Sequence, residues 1–198
     1  MRAVLQRVTG ATVHVDGKLI SRIGPGIVAL IGIGVEDTAE EITPISQKIL
    51  TTKLWNEGQK ASQIVVPPQY STDQTTNPTT DTPTKPAAEA NDDIQKARSE
   101  QVWGGKPWKQ NVMDLEGEVM CISQFTLHAR LSKGTKPDFH KSMGGEQAKI
   151  LYEQLLERLG KTYRPDRIKD GAFGEMMQCS LTNDGPVTIL IDTADNKK

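Results

Sequence analysis

Reactive side chains are scarce in this chain of 198 residues, which has two cysteines and three histidines. Cys121 and Cys179 form no CxxC pair, so a structural zinc site is not expected. Both lie in strand-like runs, and both are expected to be buried, inert thiols. Long apolar runs are missing too. Nothing approaches the roughly 20 residues that cross a bilayer, which excludes a transmembrane helix. The start, Met1-Arg2-Ala3-Val4-Leu5-Gln6-Arg7-Val8, has an apolar stretch too short for a secretory signal, and Arg7 interrupts it. A cytosolic protein is therefore expected. Nor does charge of one sign accumulate: the formal net charge is -1. A general polynucleotide binder would be strongly basic, so any RNA contact has to come from a local patch. There is no G-x-S-x-G elbow, no Gly-rich nucleotide fingerprint and no internal repeat.

What is present is enough for one domain with a substantial core. Ala11 to Val15 alternates apolar and polar residues, Asp16-Gly17 suits a type I′ turn, and Lys18-Leu19-Ile20 begins a return strand. After Gly24-Pro25-Gly26, the run Ile27 to Ile33 is apolar apart from Gly32 and reads as a strand buried on both faces. A helix is expected within Thr38 to Thr52, with Ile42, Ile45 and Ile49 on one face. Its start is open between an Asp37/Glu40 capping box and an N-cap at Thr43 followed by Pro44. The composition then shifts. Pro67 to Pro86 is rich in Pro, Thr, Asn, Gln and Asp, which bury too little to offset the entropy of ordering. A low-complexity, disordered insertion is expected over about 58–104, with a short polar helix over Ala87 to Ser99. Glu118 to Ile122 is a strand, and Gly145 to Leu159 a helix with the stripe Ala148, Leu151, Leu155, Leu159. Two late strands, Met176 to Leu181 and Val187 to Ile191, flank Thr182 to Pro186. The fold class is α/β: a compact single domain with a curved, mainly antiparallel sheet, barrel-like, and packed helices.

Three segments are candidates for chemistry. Ser123-Gln124-Phe125-Thr126 follows a buried strand, where loops can surround a rigid end. Ser123 or Thr126 as a nucleophile would need a base within hydrogen-bond reach; alternatively, the hydroxyls satisfy backbone groups at the strand end. Asn183-Asp184-Gly185-Pro186 is a turn signal that reads as a tight loop joining two strands. It also contains an X-Pro bond, where a cis peptide can present its carbonyls as a rigid recognition element. Finally, His128, Arg130, Lys133, Lys136, His140 and Lys141 form one basic cluster, and Lys161, Arg164, Arg167 and Lys169 a second. These are either solvated faces or contacts for a phosphate-rich partner.

In this order, the segments resemble the D-aminoacyl-tRNA deacylase family, most closely its eukaryotic branch. The N-terminal strand, Ser123-Gln124-Phe125-Thr126-Leu127 and Asn183-Asp184-Gly185-Pro186-Val187-Thr188 carry the resemblance. Trp108 to Asp114, Lys136 to His140 and Lys169 to Gly174 are also similar. The resemblance implies hydrolysis of the ester between a D-aminoacyl group and tRNA, with glycyl-tRNA also accepted and L-aminoacyl-tRNA rejected. It implies aminoacyl-tRNA as partner, a homodimer with active sites at the subunit interface, and no metal, cofactor or membrane. By the same resemblance, Ser123, Gln124, Phe125 and Thr126 line the catalytic pocket. A cis Gly185-Pro186 bond, braced by Arg7, projects into the partner's pocket as a chirality gate. Phe125 and Phe139 are candidates to pack near the terminal base. Backbone donors after Phe125 would hold the oxyanion, and the 2′-hydroxyl of the tRNA would help to position water. Thr126 as a covalent nucleophile is the less favoured of two mechanisms, and His128 takes no role. The alternative is a non-enzymatic nucleic-acid-binding protein on the same fold.

Overall fold

The computed structural model describes residues 1–71, 108–132 and 134–196. It is a mixed α/β domain whose nearly closed, barrel-like sheet carries helices on one face. The strands are β1 (Arg2–Val15), β2 (Lys18–Ile23), β3 (Gly26–Gly32), β4 (Glu118–Ser123), β5 (Ile168–Asp170) and β6 (Gln178–Asp192). The helices are α1 (Ile42–Thr51), α2 (Val112–Leu115) and α3 (Gly145–Thr162).

The first hairpin forms as the sequence dictates, with positive φ at both Asp16 and Gly17, as a type I′ turn requires. β1 is the spine. Along one edge it pairs antiparallel with β3 through Arg2 to Val8 and with β2 through Ala11 to Val15. Its other edge pairs antiparallel with β6 along almost its whole length. The pairings β3–β4 and β4–β5 are parallel, which the hairpin-dominated reading of the sequence does not anticipate. Parallel neighbours suit the apolar run of β3, because strands covered on both faces need no alternation.

One core lies between the sheet and the helices. Leu5, Ile27, Ala29 and Cys121 face Ile45 and Ile49 of α1 and Leu155 and Leu159 of α3. A second, smaller core lies on the other face of the curled sheet, where Val8, Val13, Ile23, Val28, Met120 and Ile122 meet. The helix start resolves differently from either alternative: Thr38 and Glu41 form the capping box of a short 3-10 turn that runs into α1. Pro44 falls in the first turn of α1, where backbone N–H groups have few partners within the helix.

Three further expectations are corrected. Cys121 is buried, and burial pushes its thiol far above the usual range, but Cys179 is exposed on β6. Residues 58–71, the expected start of the insertion, carry two 3-10 turns, Ala61–Gln63 and Pro68–Tyr70. Tyr70 is buried against Gly10, where an added Cβ would stand 2.6 Å from its ring. Glycine in mid-β1 is what admits the ring. The rest of the insertion and the polar helix of Ala87 to Ser99 lie outside the described residues. Last, Thr182 to Pro186 does not join two strands. β6 runs through it as one strand.

Candidate active site

The first signature is held by the strand that precedes it. Ser123 closes β4 opposite Ile31 of β3, and the Gln124 N–H donates to the Ile31 carbonyl at 2.7 Å. The chain then tightens into a 3-10 turn, Phe125–His128. Beside it is a cavity of about 360 Å³. Ile31, Ile33, Ala148 and Phe173 supply apolar walls, Ser123, Gln124 and Ser142 the polar groups, and Phe125 and Phe139 the mouth. The two phenylalanines meet edge to face at 5.1 Å. The Ser142 hydroxyl donates to the Phe125 carbonyl at 2.7 Å, and the Met143 N–H to the Ile33 carbonyl at 2.9 Å. These bonds tie the segment 139–145 to the strand ends. Gly144 and Gly145, at the start of α3, complete the rim; that helix start has no side-chain cap.

The cavity walls contain no Asp, Glu, His, Lys, Arg, Cys or Tyr among the described residues. No wall side chain can therefore serve as a general base near neutral pH. Thr126 is exposed and is not one of the wall residues; its hydroxyl accepts from the Gln124 side-chain amide. His128 faces the opposite side of the turn, in a smaller, polar cavity with Arg2, Asp37, Arg130 and Lys141. Burial lowers its pKa, favouring the neutral ring.

The second signature is built on different principles. In the β1–β6 ladder Gln6 faces Thr188 and Val8 faces Asn183, so the four residues Asp184 to Val187 stand opposite Arg7 alone. The surplus bulges out of the sheet. The Asn183 side-chain amide closes its neck, donating to the Arg7 carbonyl at 2.9 Å and the Val187 carbonyl at 3.0 Å. Arg7, only 8% exposed, braces it from inside. Its Nε lies 2.9 Å from Asp184 Oδ2, Nη1 donates to the Leu54 carbonyl at 2.6 Å, and the guanidinium lies 5.3 Å from the centre of the Trp108 ring. Burial pulls the Arg7 pKa down while Asp184 opposes that shift, and a guanidinium stays charged under both.

Gly185–Pro186 is a cis peptide, and both residues are exposed. Gly185 has φ +116°, and a Cβ there would meet Val187 Cγ2 at 2.7 Å and Arg7 Nη2 at 3.2 Å. Only glycine fits. The structure thus brings Ser123, Gln124, Phe125 and Phe139 together around one cavity, and Arg7, Gly185 and Pro186 together in one bulge. None of Arg7, Thr126, Gly185 or Pro186 lines the cavity of its own chain.

Sequence reading misses the partners that build both places. Ser142 at the cavity carries no motif of its own, and Phe173 lies in the family-like segment Lys169 to Gly174 with no role assigned to it. Asn183 and Asp184 read as turn formers, and nothing marks Trp108 as the aromatic over Arg7. Of the basic clusters, Lys161, Arg164 and Arg167 are engaged locally by Glu157 and Asp166. Arg130 lines the smaller cavity with His128, Lys136 is exposed, and Lys133 lies outside the described residues.

A model of the D-Tyr-tRNA(Tyr) deacylase family matches residues 4–69 and 78–192. The D-aminoacyl-tRNA deacylase of Schizosaccharomyces pombe is 40% identical, with 98% of this chain and 100% of that one covered. D-aminoacyl-tRNA deacylase 1 of Homo sapiens is 39% identical over 98% of this chain and 70% of that one. Among solved structures, a protein described as c-Myc DNA Unwinding Element Binding Protein superposes with a TM-score of 0.71 at 39% identity, covering 98% and 99% of the two chains.

Proposed function

The chain belongs to the D-Tyr-tRNA(Tyr) deacylase family and is a D-aminoacyl-tRNA deacylase, a hydrolase; from that premise we propose that it clears both D-aminoacyl- and mischarged glycyl-tRNA through a main-chain gate. The observation that carries this reading is the separation of cavity from bulge. Ser123, Gln124 and Phe125 line a cavity to which Gly185 and Pro186 of the same chain contribute nothing. The bulge points its two residues into solvent from an edge strand. A second copy accounts for both facts: in a homodimer each bulge enters the partner's cavity. The outer edge of β6 is unpaired among the described residues, and Leu190 on it is 68% exposed, as suits a surface covered on association.

In this reading the terminal adenosine packs against Phe125 and Phe139, and the ester lies near Ser123 and Gln124. The α-amino group is held by the Gly185 and Pro186 carbonyls. A D side chain then points away from main chain, and an L side chain points into it. Glycine has none and passes. Rejection by steric exclusion separates hands well and D residues from one another poorly.

The chemistry falls to water. Its oxygen bonds to the ester carbonyl carbon, and the tetrahedral oxyanion is held by backbone N–H groups at the turn after Phe125. Collapse breaks the bond to the ribose 3′-oxygen, which leaves with a proton. Walls without a titratable side chain suit activation by the substrate's own 2′-hydroxyl. Ser123, Gln124 and Thr126 position and polarise, Arg7 braces the gate, and no step calls for a metal or cofactor.

Hydrolysis of D-tyrosyl-tRNA, glycyl-tRNA and L-tyrosyl-tRNA by the purified chain tests the proposal. The first two are released and the third persists. Release of L-tyrosine at a comparable rate removes the gate. A second reading, a nucleic-acid-binding protein without catalysis, is favoured by the likeness to the c-Myc DNA Unwinding Element Binding Protein and by the exposed basic loop. Tight polynucleotide binding with no ester hydrolysis would select it.

A further inference from the structure

Arg7 can brace the bulge only if its own guanidinium is fixed, and the structure shows two side chains placed to fix it. Asp184 sits inside the bulge, immediately before Gly185, with Oδ2 2.9 Å from Arg7 Nε. Trp108 arrives from a segment remote in sequence and lays its ring over the same guanidinium. The Leu54 carbonyl takes Nη1, and Nη2 is left facing Gly185, 3.2 Å from where a Cβ would stand. A planar fork held at three points cannot rotate without breaking one of them. Arg7 is also the single β1 residue opposite the four-residue surplus on β6. Its orientation therefore sets where the surplus lies.

Resting on the gate reading above, we propose that Asp184 and Trp108 are positioning residues for selectivity: they act on the substrate's chirality only through Arg7. Neither lines the cavity. Asp184 supplies charge and direction to the fork. Trp108 supplies a flat, desolvated face that a cation prefers to an aliphatic one. Loosening either lets Gly185–Pro186 shift, and a shift of well under an ångström decides whether an L side chain clashes.

The test is the ratio of D-tyrosyl- to L-tyrosyl-tRNA hydrolysis in Asp184→Asn, Trp108→Leu and Trp108→Phe, each also built in an Arg7→Lys background. A thermal melt confirms that each variant is folded. Asp184→Asn and Trp108→Leu should lower the ratio about tenfold, the size expected when one buried cation–π or charge contact is lost. Trp108→Phe, which keeps an aromatic face, should recover most of it. In the Arg7→Lys background, where the ratio is already low, none of the three should lower it further. A general packing role would instead lower the melt and both rates together, leaving the ratio alone and adding to Arg7→Lys. An unchanged ratio in folded Asp184→Asn and Trp108→Leu, with a lowered ratio in Arg7→Lys, overturns the proposal and leaves the gate standing. An unchanged ratio in Arg7→Lys as well overturns both.

Discussion

Ser123 and Gln124 leave a strand that is buried on both faces, between two parallel neighbours, and the cavity beside them is mostly apolar. Asp184 to Val187 leave an edge strand whose residues are exposed or half-buried apart from Ile191, and they are held by an arginine, a carboxylate and a carboxamide. The cavity is rigid because its surroundings are close-packed. The bulge is held because the Asn183 amide closes its neck and the Arg7 guanidinium backs it against Asp184. This division matters for an enzyme that must be tolerant of one feature and strict about another. On the proposed reading, the apolar cavity takes the terminal adenosine whatever D side chain it carries, and the polar bulge fixes main chain, which refuses an L side chain by its position alone.

The sharpest way to break the comparison is Gly185→Ala. Its Cβ would stand 2.7 Å from Val187 Cγ2, at a φ that L residues rarely adopt. Holding such a conformation costs on the order of 1–3 kcal/mol, or about five- to 150-fold in rate if it falls on the productive geometry. The D/L ratio should fall by that factor. Substitution at the cavity mouth should not mimic it. Phe125→Ala removes the ring contact with Phe139, so it should raise KM for both hands and leave the ratio intact. If Phe125→Ala changes the ratio as much as Gly185→Ala, the two regions are not separate devices.

A smaller effect is expected at the neck. Asn183→Ala removes both donations that close the bulge, to the Arg7 and Val187 carbonyls. Each such bond is worth about 1 kcal/mol net. Stability should drop by about 1–2 kcal/mol in denaturant melts, with a roughly tenfold loss of the D/L ratio. A stability loss without any change in ratio would mean that the neck holds the strand but not the gate.

How much of this was legible in the sequence follows the same division. The cavity side was legible because burial leaves a periodic trace: the apolar run of β3, the strand into Ser123, the stripe on α3. The bulge was not. Asn183-Asp184-Gly185-Pro186 has the composition of a turn, and turn residues serve equally to let four residues escape from a continuing strand. What decides between the two is the register against β1, set by residues some 180 positions away in the chain. Leu54 reaches Arg7 across 47 positions and Trp108 across about 100, so their role could not be read locally. The start of the insertion was misplaced for a related reason. The insertion is expected to begin near residue 58, yet the Tyr70 ring over Gly10, Arg22 on the Ser71 carbonyl and Lys60 on Glu116 tie 58–71 to the domain.

A pH measurement sharpens the contrast between the two sides of the Phe125–His128 turn. His128 is held below its usual 6.5 chiefly by burial. A folded value below the unfolded one means that its contribution to stability is present above about pH 6.5 and is lost as pH falls through the folded value. Melts should weaken in that window, and His128→Asn should flatten this part of the decline. The rate of hydrolysis should not follow, because the cavity walls hold nothing that titrates there. A rate that tracks the His128 limb would move the ring into the chemistry.

The smallest effect is expected where catalysis by a side chain would give the largest. Thr126 is exposed, lies outside the cavity walls and holds the Gln124 amide by accepting its proton. An acyl-enzyme route needs its oxygen to lose a proton to a base, and the described walls offer none. Thr126→Ala should therefore stay within about threefold of the parent rate, the loss reflecting a freer Gln124 rather than a missing nucleophile. Removing a true nucleophile would cost a thousandfold or more, on the order seen when covalent catalysis is abolished. Single-turnover kinetics on D-tyrosyl-tRNA separate the cases. A folded Thr126→Ala protein that binds tRNA but falls to background would restore the covalent route. Gln124→Ala should cost more than Thr126→Ala, because the Gln124 side chain lines the cavity and the threonine only holds it there. A Gln124→Ala rate equal to that of Thr126→Ala would take the amide away from the ester.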